Sequence, residues 1–246
     1  VLFRSCPFPW CEDELQFKLD NIFTRLKIVS KTMERSKLTH DDVVSMTDIF
    51  RPHVDCENPR VVLVEGNPAI GKTTFCQKLA HDWSLSRIPA DSWFPEVEMV
   101  LLLKCRDMNV RIADIEQAID DQLLPIDVDR NEKEKFFDYI RANQSRILLV
   151  LDGLDEMRHE ELFQGLLSLI QGKILSNIYL LFTARLEVGA KVRRYCDSLL
   201  QIVGYSKDDA ISYIEQYFRN HSDPGLAQKL KEKLARSEER RVGKEC

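Results

Sequence analysis

The stretch of sequence that decides the fold reads Gly66-Asn67-Pro68-Ala69-Ile70-Gly71-Lys72-Thr73-Thr74. A short apolar run precedes it and an amphipathic run follows it, as expected for a strand, a turn and a helix. The glycines allow the backbone to curl so that successive N–H groups point at phosphate oxygens, and the helix dipole adds positive charge. We therefore predict a phosphate-binding loop at residues 66–74, in which Lys72 reaches the β- and γ-phosphates and Thr73 supplies a hydroxyl to Mg²⁺.

The chain around this loop alternates short apolar runs with longer amphipathic ones. The apolar positions are consecutive, as in strands of a parallel sheet that is covered on both faces. The alternation predicts an α/β fold with a doubly wound, mainly parallel sheet of the P-loop NTPase type. The predicted strands are Val61–Glu65, Glu98–Lys104, Ile147–Leu151, Ile178–Phe182 and Leu199–Val203, and the predicted helices are Lys72–Ser86, Ile112–Leu124, Asn131–Asn143 and His159–Gly172.

A second motif is the acidic cluster that follows the strand at 147–151. Its first carboxylate, Asp152, lies where a parallel strand ends, which is the edge at which ligands bind in open α/β sheets, and it is the candidate holder of Mg²⁺. Asp155 and Glu156 follow, and either could orient and deprotonate an attacking water. Because another predicted strand separates the two motif strands along the chain, we expect at least one strand between them in the sheet.

A third candidate position is the end of the next strand, Thr183-Ala184-Arg185. A threonine and an arginine at this edge are expected to face the nucleotide. Arg185 could contact the γ-phosphate and report its hydrolysis through its fixed fork of donors, although an arginine here could also lie on the surface.

The segment before the loop differs in pattern from the rest. Leu15–Met33 carries apolar residues at the spacing of one helix face and predicts a helix. The polar stretch Glu34–Arg60 is typical of a linker, with a short helix near Asp41–Phe50.

The segment after the last predicted strand is helical in pattern. Ser206 and Asp209 can form a capping box, and a second helix starts at Asp223–Pro224 and continues to about Leu234. Val1–Ser5 lacks an initiator Met and is too short to be a signal peptide, and the tail 237–246 breaks the helical pattern before it. We expect both to be non-native and the natural chain to extend in both directions.

Composition excludes several classes of protein. Of the 246 residues, 44% are hydrophobic, and the formal net charge is −5. A disordered chain would have fewer apolar residues, and a nucleic-acid partner would call for a basic face. The longest apolar runs have five residues. A membrane span needs about 18 or more, so we predict none.

The cysteines point to a reducing, cytoplasmic environment. There are seven, scattered along the chain, and Cys76 and Cys105 lie in predicted core elements. Cys6 with Cys11, or His53 with Cys56, has no second matching pair, so a zinc site is disfavoured.

The nucleotide predicted from the sequence is ATP or ADP. Proteins that recognise guanine use an [NT]KxD loop, and the nearest string here starts with Ser206 instead of Asn or Thr.

The motifs together resemble one family. GNPAIGKTTFCQKLAHDW, RILLVLDGLDEM, YLLFTAR and VGYSKDDAISYIEQYF look like the successive signatures of NACHT-domain proteins. These are ATPases of the STAND class and include NOD-like innate immune receptors. The resemblance covers about Val61 to Asn220, and Trp10–Phe50 resembles the linker between an effector domain and NACHT.

The resemblance assigns residues 66–74 to Walker A, Asp152, Asp155 and Glu156 to an extended Walker B, and Arg185 to the sensor-1 arginine. The usual T-S-R-P is Thr-Ala-Arg-Leu here, and Pro68-Ala69 replaces a common Ala-Gly. A later proline motif, a winged-helix domain and sensor repeats are missing, which implies a partial chain. The implied domains are an N-terminal helical or linker segment (1–60), the NACHT nucleotide-binding domain (61–204) and the start of a helical subdomain (205–236).

The implied function is a nucleotide-dependent switch that binds ATP or ADP with Mg²⁺ and hydrolyses ATP slowly, in innate immune or death signalling. Its partners would be the nucleotide, further copies through NACHT on activation, and adaptors of an upstream effector domain. Two alternatives remain open, namely an ADP-locked scaffold without turnover and an unrelated AAA+-like ATPase.

Overall fold

A computed structural model describes residues 4–5, 17–18, 27–34, 37–108, 114–157, 160–204, 207–218 and 225–233. They belong to two compact units, one at 27–204 and the other formed by 1–26 with 205–246. In the smaller unit, β1 (Arg4–Ser5) pairs antiparallel with β2 (Phe17–Lys18), and two helices lie at Lys207–Phe218 and 225–233. Among the described residues, none of the helices is both long and apolar enough to cross a membrane.

In the larger unit, the described strands form a seven-stranded sheet. Its strands are β3 (Lys27–Glu34), β4 (Lys37–Val44), β5 (Val61–Glu65), β6 (Met99–Lys104), β7 (Ile147–Asp152), β8 (Tyr179–Ala184) and β9 (Ser198–Gly204). Their order across the sheet is β4-β3-β9-β5-β8-β7-β6. The five strands β5 to β9 pair in parallel, and β3 and β4 add an antiparallel hairpin next to β9.

Helices connect the parallel strands and cover the sheet. They are α1 (Lys72–Ser84), α2 (Ile115–Leu123), α3 (Arg130–Ala142), α4 (Glu160–Ile170) and α5 (Leu186–Val192). All six residues of β7 are buried, which requires cover on both faces of the sheet. The α/β prediction with a doubly wound, mainly parallel sheet is therefore confirmed. A strand does lie between the two motif strands, as expected, but it is β8; the predicted strand that motivated this expectation, β6, lies at the edge of the sheet.

The segment before the phosphate loop differs from the prediction. The helix predicted at Leu15–Met33 is wrong at Phe17–Lys18 and at Lys27–Met33, which form strands, and its other residues lie outside those described. The short helix predicted near Asp41–Phe50 is also wrong, since β4 continues to Val44 and turns follow. The cause is tertiary. Without β3, β9 would be an edge strand with unpaired backbone groups, and pairing also buries Ile28 and Val29.

Candidate functional site

The phosphate loop connects the end of β5 to the start of α1. Gly71 has φ 103° and Ala69 has φ 57°, so two positions in the loop adopt the left-handed conformation that turns N–H groups inward. A Cβ on Gly66 would lie 2.7 Å from Ile70 Cγ2 and 3.3 Å from the Ile202 carbonyl oxygen. The turn therefore has no room for a larger residue at Gly66. The tip of the loop, residues 67–69, is exposed.

The Lys72 ammonium lies across this loop. Its Nζ donates to the carbonyl oxygens of Gly66, at 2.9 Å, and Asn67, at 3.2 Å. Partial burial lowers the pKa of Lys72, and the positive charge of Arg185 lowers it further. The carboxylates of Asp155, Asp152 and Glu156 act in the opposite direction and raise it. Every charged residue that the sequence assigns to the site thus acts electrostatically on Lys72.

Asp152 is held in place by the neighbouring strand. The Thr183 hydroxyl donates to Asp152 Oδ1 at 3.0 Å and accepts from the Gly153 N–H at 2.8 Å, and all three residues are buried. The expectation that Thr183 faces the nucleotide is therefore wrong. The Thr183 hydroxyl instead makes its hydrogen bonds within the protein, where it fixes the Asp152 carboxylate and the turn at Gly153.

Asp155 and Arg185 form an ion pair at the same edge. Arg185 Nε lies 2.7 Å from Asp155 Oδ2, and the Arg185 backbone N–H donates to Asp155 Oδ1 at 2.9 Å. The aspartate side chain is 5% exposed and the arginine side chain 49%. Both oxygens of Asp155 are thus engaged by Arg185, whereas the guanidinium itself remains half accessible to a ligand.

Glu156 is exposed and follows a tight turn. Gly153 has φ 77°, and the Glu156 N–H donates to its carbonyl oxygen at 2.8 Å. A Cβ on Gly153 would lie 3.1 Å from Glu156 Cδ. Although much of the side chain is exposed, desolvation of the Glu156 carboxyl by the surrounding protein raises its pKa, and the carboxylates of Asp152 and Asp155 raise it further. Glu156 therefore holds a proton to higher pH than an isolated glutamate.

The site fits Mg²⁺ bound together with nucleotide. Mg²⁺ is usually held by one or two protein oxygens plus phosphates and waters. Thr73, the second residue of α1, and the buried carboxylate of Asp152 have the right chemistry. Across the described parts of the chain, no group of three or more His, Cys, Asp or Glu residues could form an all-protein metal cage.

His53 and Cys56 have structural roles. His53 Nε2 donates to the Asp197 carbonyl oxygen at 2.8 Å and lies 3.1 Å from Ser198 Oγ, and His53 forms a β-bridge with Cys56. The buried thiols predicted at Cys76 and Cys105 are present, and burial beside Asp152 raises the pKa of each.

Sequence reasoning missed three residues that hold the two ends of β5. Asp197 Oδ2 accepts from the backbone N–H groups of Arg60 and Val61, both at 2.8 Å, and so fixes the start of β5. Glu65 at the end of β5 is 1% exposed and forms a two-pronged ion pair with Arg193. A sequence signal existed only for Glu65, which is a charged residue at the end of an apolar strand.

A phosphate loop between a parallel strand and a helix, with a buried aspartate two strands away, defines a P-loop NTPase. The family model of the NACHT domain matches residues 60–221. The chain belongs to the NACHT-domain family.

Three curated relatives are similar over most of the chain. Nucleotide-binding oligomerization domain-containing protein 2 of Bos taurus is 28% identical over 77% of this chain and 19% of its own length. The MHC class II transactivator of Homo sapiens is 25% identical, over 87% and 21%. NACHT, LRR and PYD domains-containing protein 3 of Mus musculus is 24% identical, over 82% and 22%. The chain spans about a fifth of the length of these relatives.

Among solved structures, the Thermotoga maritima RuvB Holliday junction branch migration motor is similar at 13% identity and a TM-score of 0.37. The similarity covers 65% of this chain and 43% of that one.

Proposed function

We propose that this chain is the nucleotide-binding module of a NACHT-type signalling switch that binds ATP and ADP with Mg²⁺ and hydrolyses ATP slowly. The observation that supports this most directly is the convergence of Lys72, Asp152, Asp155, Glu156 and Arg185 at one edge of the sheet. Lys72 begins α1, Asp152 ends β7 and is followed by Asp155 and Glu156, and Arg185 directly follows β8.

Each part of the site has a physical role in this proposal. The loop at 66–74 binds the phosphates through its N–H groups, and Lys72 exchanges its loop carbonyls for phosphate oxygens. Thr73 and Asp152 would hold Mg²⁺, which would neutralise phosphate charge when bound. The bond from Thr183 keeps the Asp152 carboxylate aimed at this position before nucleotide arrives.

Glu156 is the better candidate for the general base. A base must be within reach of the attacking water and have an oxygen available to accept its proton. Asp155 already accepts two bonds from Arg185, whereas Glu156 is exposed and its pKa is raised above the ordinary value of a glutamate. We propose that Asp155 positions Arg185. The half-exposed guanidinium of Arg185 would then move from the Asp155 carboxylate to the γ-phosphate when ATP binds.

The family supports a proposal for the biological setting. Relatives carry names that state nucleotide binding and oligomerisation, or NACHT, LRR and PYD domains. We propose that the whole protein is cytoplasmic, self-associates through NACHT when ATP replaces ADP, recruits adaptors through an upstream effector domain, and acts in innate immune signalling.

The phosphate-loop assignment is tested by equilibrium titration with Mg-ATP. Replacing Lys72 with Ala should weaken binding at least tenfold, about 1.4 kcal/mol, because the ammonium no longer neutralises phosphate charge. Lys135→Ala is the matched control, since it removes an exposed lysine of α3 and should leave affinity unchanged. Equal affinity of wild type and Lys72→Ala would refute the assignment.

The alternative of an ADP-locked scaffold is tested by turnover. Glu156→Gln should keep nucleotide affinity and lower the rate of ATP hydrolysis in a single-turnover assay, because the base is lost while the phosphate contacts remain. Absence of turnover above background in the oligomeric full-length wild type would favour the scaffold. The NACHT match favours both of these hypotheses over an unrelated AAA+-like ATPase.

A further inference from the structure

The end of the phosphate-loop strand carries a buried charge that the catalytic scheme does not use. Glu65 is 1% exposed and immediately precedes Gly66. Arg193, which follows α5, donates from Nε to Glu65 Oε1 at 2.7 Å and from a terminal nitrogen to Oε2 at 2.8 Å. Both carboxylate oxygens are therefore bound by one guanidinium in the two-pronged geometry that fixes distance and orientation together.

The ion pair connects the phosphate loop to the helix that begins at Arg185. Arg185 is the N-cap residue of α5, and Arg193 directly follows the last residue of that helix. The Gly66 N–H also donates to the Ala184 carbonyl oxygen at 3.2 Å. The segment that carries Arg185 is thus bonded to the end of β5 and to the loop at two points. Ala184, before Arg185, binds Gly66, and Arg193, after it, binds Glu65.

The helix also packs tightly on the glutamate. A Cβ built on Gly189, in the middle of α5, would lie 2.1 Å from Glu65 Oε1 and 2.9 Å from its Cδ. The α5 backbone therefore sits directly against the carboxylate. A displacement of α5 would change the Glu65–Arg193 geometry, and a change in that geometry would displace α5.

We propose that the Glu65–Arg193 pair is a positioning device that sets the distance between the phosphate loop and the Arg185 guanidinium, and so sets the discrimination between ATP and ADP. This inference rests on the proposed role of Arg185 at the γ-phosphate. A buried ion pair is a poor source of stability, since its desolvation offsets much of its attraction, whereas its geometry is exacting. Arg185 contacts the third phosphate only if α5 begins at a fixed distance from the loop.

The test uses a substitution that keeps the positive charge and removes the pair of hydrogen bonds from the guanidinium. Arg193→Lys retains a cation opposite Glu65 but replaces two directed bonds with a single mobile ammonium. Affinities for Mg-ATP and Mg-ADP are measured by equilibrium titration. We expect ADP affinity to stay within twofold of wild type and the ratio of ATP to ADP affinity to fall about fivefold, since only the γ-phosphate contact is displaced.

The matched control is Arg141→Lys in α3. Arg141 also binds both oxygens of a glutamate, Glu116, through its Nε and a terminal nitrogen, but on an exposed surface. This variant should leave the affinity ratio unchanged. A general effect of removing a guanidinium fork would lower the ratio in both variants and would overturn the inference.

A double-mutant cycle separates positioning from a structural role. In an Arg185→Ala background, Arg193→Lys should produce no further change in the ratio, because no guanidinium remains to be positioned. Additive effects would overturn the inference. If Arg185→Ala itself leaves the ratio unchanged, the proposed γ-phosphate role fails and the inference falls with it. A change with Arg185→Ala but none with Arg193→Lys overturns the positioning inference alone.

A second variant covers a loss of folding in Arg193→Lys. Glu65→Gln combined with Arg193→Gln removes both charges and leaves neither ion buried without a partner. The double variant should show the same selective loss in the affinity ratio. A folded double variant with the wild-type ratio overturns the inference.

Discussion

The packing of α5 on Glu65 makes a sharp prediction for Gly189→Ala. Within a helix, alanine is normally better than glycine by about 0.5–1 kcal/mol, because glycine loses more backbone entropy on folding. Gly189 has no positive φ, so an alanine there has no backbone strain. Its Cβ, however, would lie 2.1 Å from Glu65 Oε1 and 3.1 Å from Glu65 Cγ. We therefore expect destabilisation at a position where propensity alone predicts a gain.

The magnitude follows from how firmly Glu65 is held. The carboxylate is buried and bonded twice to Arg193, so it cannot withdraw without breaking the pair. Breaking a buried pair costs about 3–5 kcal/mol, whereas shifting α5 to relieve the overlap costs about 1–3 kcal/mol. The cheaper response dominates, and the helix gain offsets part of it. The net loss is about 1–2 kcal/mol, or a fall in Tm of roughly 2–8 °C for a domain of this size.

The assay is thermal unfolding followed by circular dichroism, with Gly165→Ala as the matched control. Gly165 lies in α4, is exposed, and has nothing within 4 Å of an added Cβ. The control should raise Tm by roughly 1–4 °C through propensity alone. If Gly189→Ala raises Tm by the same amount as Gly165→Ala, α5 does not pack on the Glu65 carboxylate and the reasoning is refuted.

Three further predictions concern two groups at the site, Thr183 and Glu156, and one at the opposite edge of the sheet, Asp197. Thr183→Val should lower the free energy of unfolding by about 2–3 kcal/mol in urea titrations, because the buried Gly153 N–H loses its acceptor, while Thr183→Ser should retain the hydrogen bonds. Asp197→Ala should cost about 2 kcal/mol in the same assay, since two N–H groups at the start of β5 lose one carboxylate oxygen. The pKa of Glu156 is raised by folding, so the folded state binds this proton more tightly and stability falls as pH rises through and above the ordinary glutamate range. Glu156→Gln should therefore raise Tm at about pH 7 but not at about pH 4, and an equal rise at both values would contradict this sign.

The parallel core was predictable because its signals are local. Each of β5 to β9 differs from its predicted bounds by at most two residues at either end, since a strand buried on both faces needs consecutive apolar residues. The phosphate loop was predictable because Gly66, Gly71 and Lys72 are required by backbone geometry and charge within a single turn. Helix α5 was not predicted, since seven residues with a glycine in the middle give little periodicity.

The errors share a different cause. At Lys27–Met33 the apolar residues fit a helix face or a strand equally well, and β9 decided between them from about 170 residues further along the chain. Thr183 was expected to face the nucleotide because it lies near a strand end, but the neighbouring strand offers it Asp152 and the Gly153 N–H. In both cases the contact that determines the outcome is made by a segment distant in the sequence. A local sequence pattern does not show which distant segment will lie beside a given residue.

The same distinction between local signals and long-range contacts applies to the site: its residues are predicted locally, but their relative positions are not. The motif residues are each specified locally, but the bonds that set their relative positions join distant segments, such as Glu65 to Arg193 across 128 positions and Arg185 to Asp155 across 30. Replacing a motif residue such as Lys72 is expected to weaken the binding of every nucleotide and therefore conceals how the site distinguishes its ligands. Removing a long-range bond leaves the phosphate contacts in place and changes only their geometry. Substitutions at Glu65, Arg193 and Gly189 are therefore the ones that can separate nucleotide binding from nucleotide sensing in this chain.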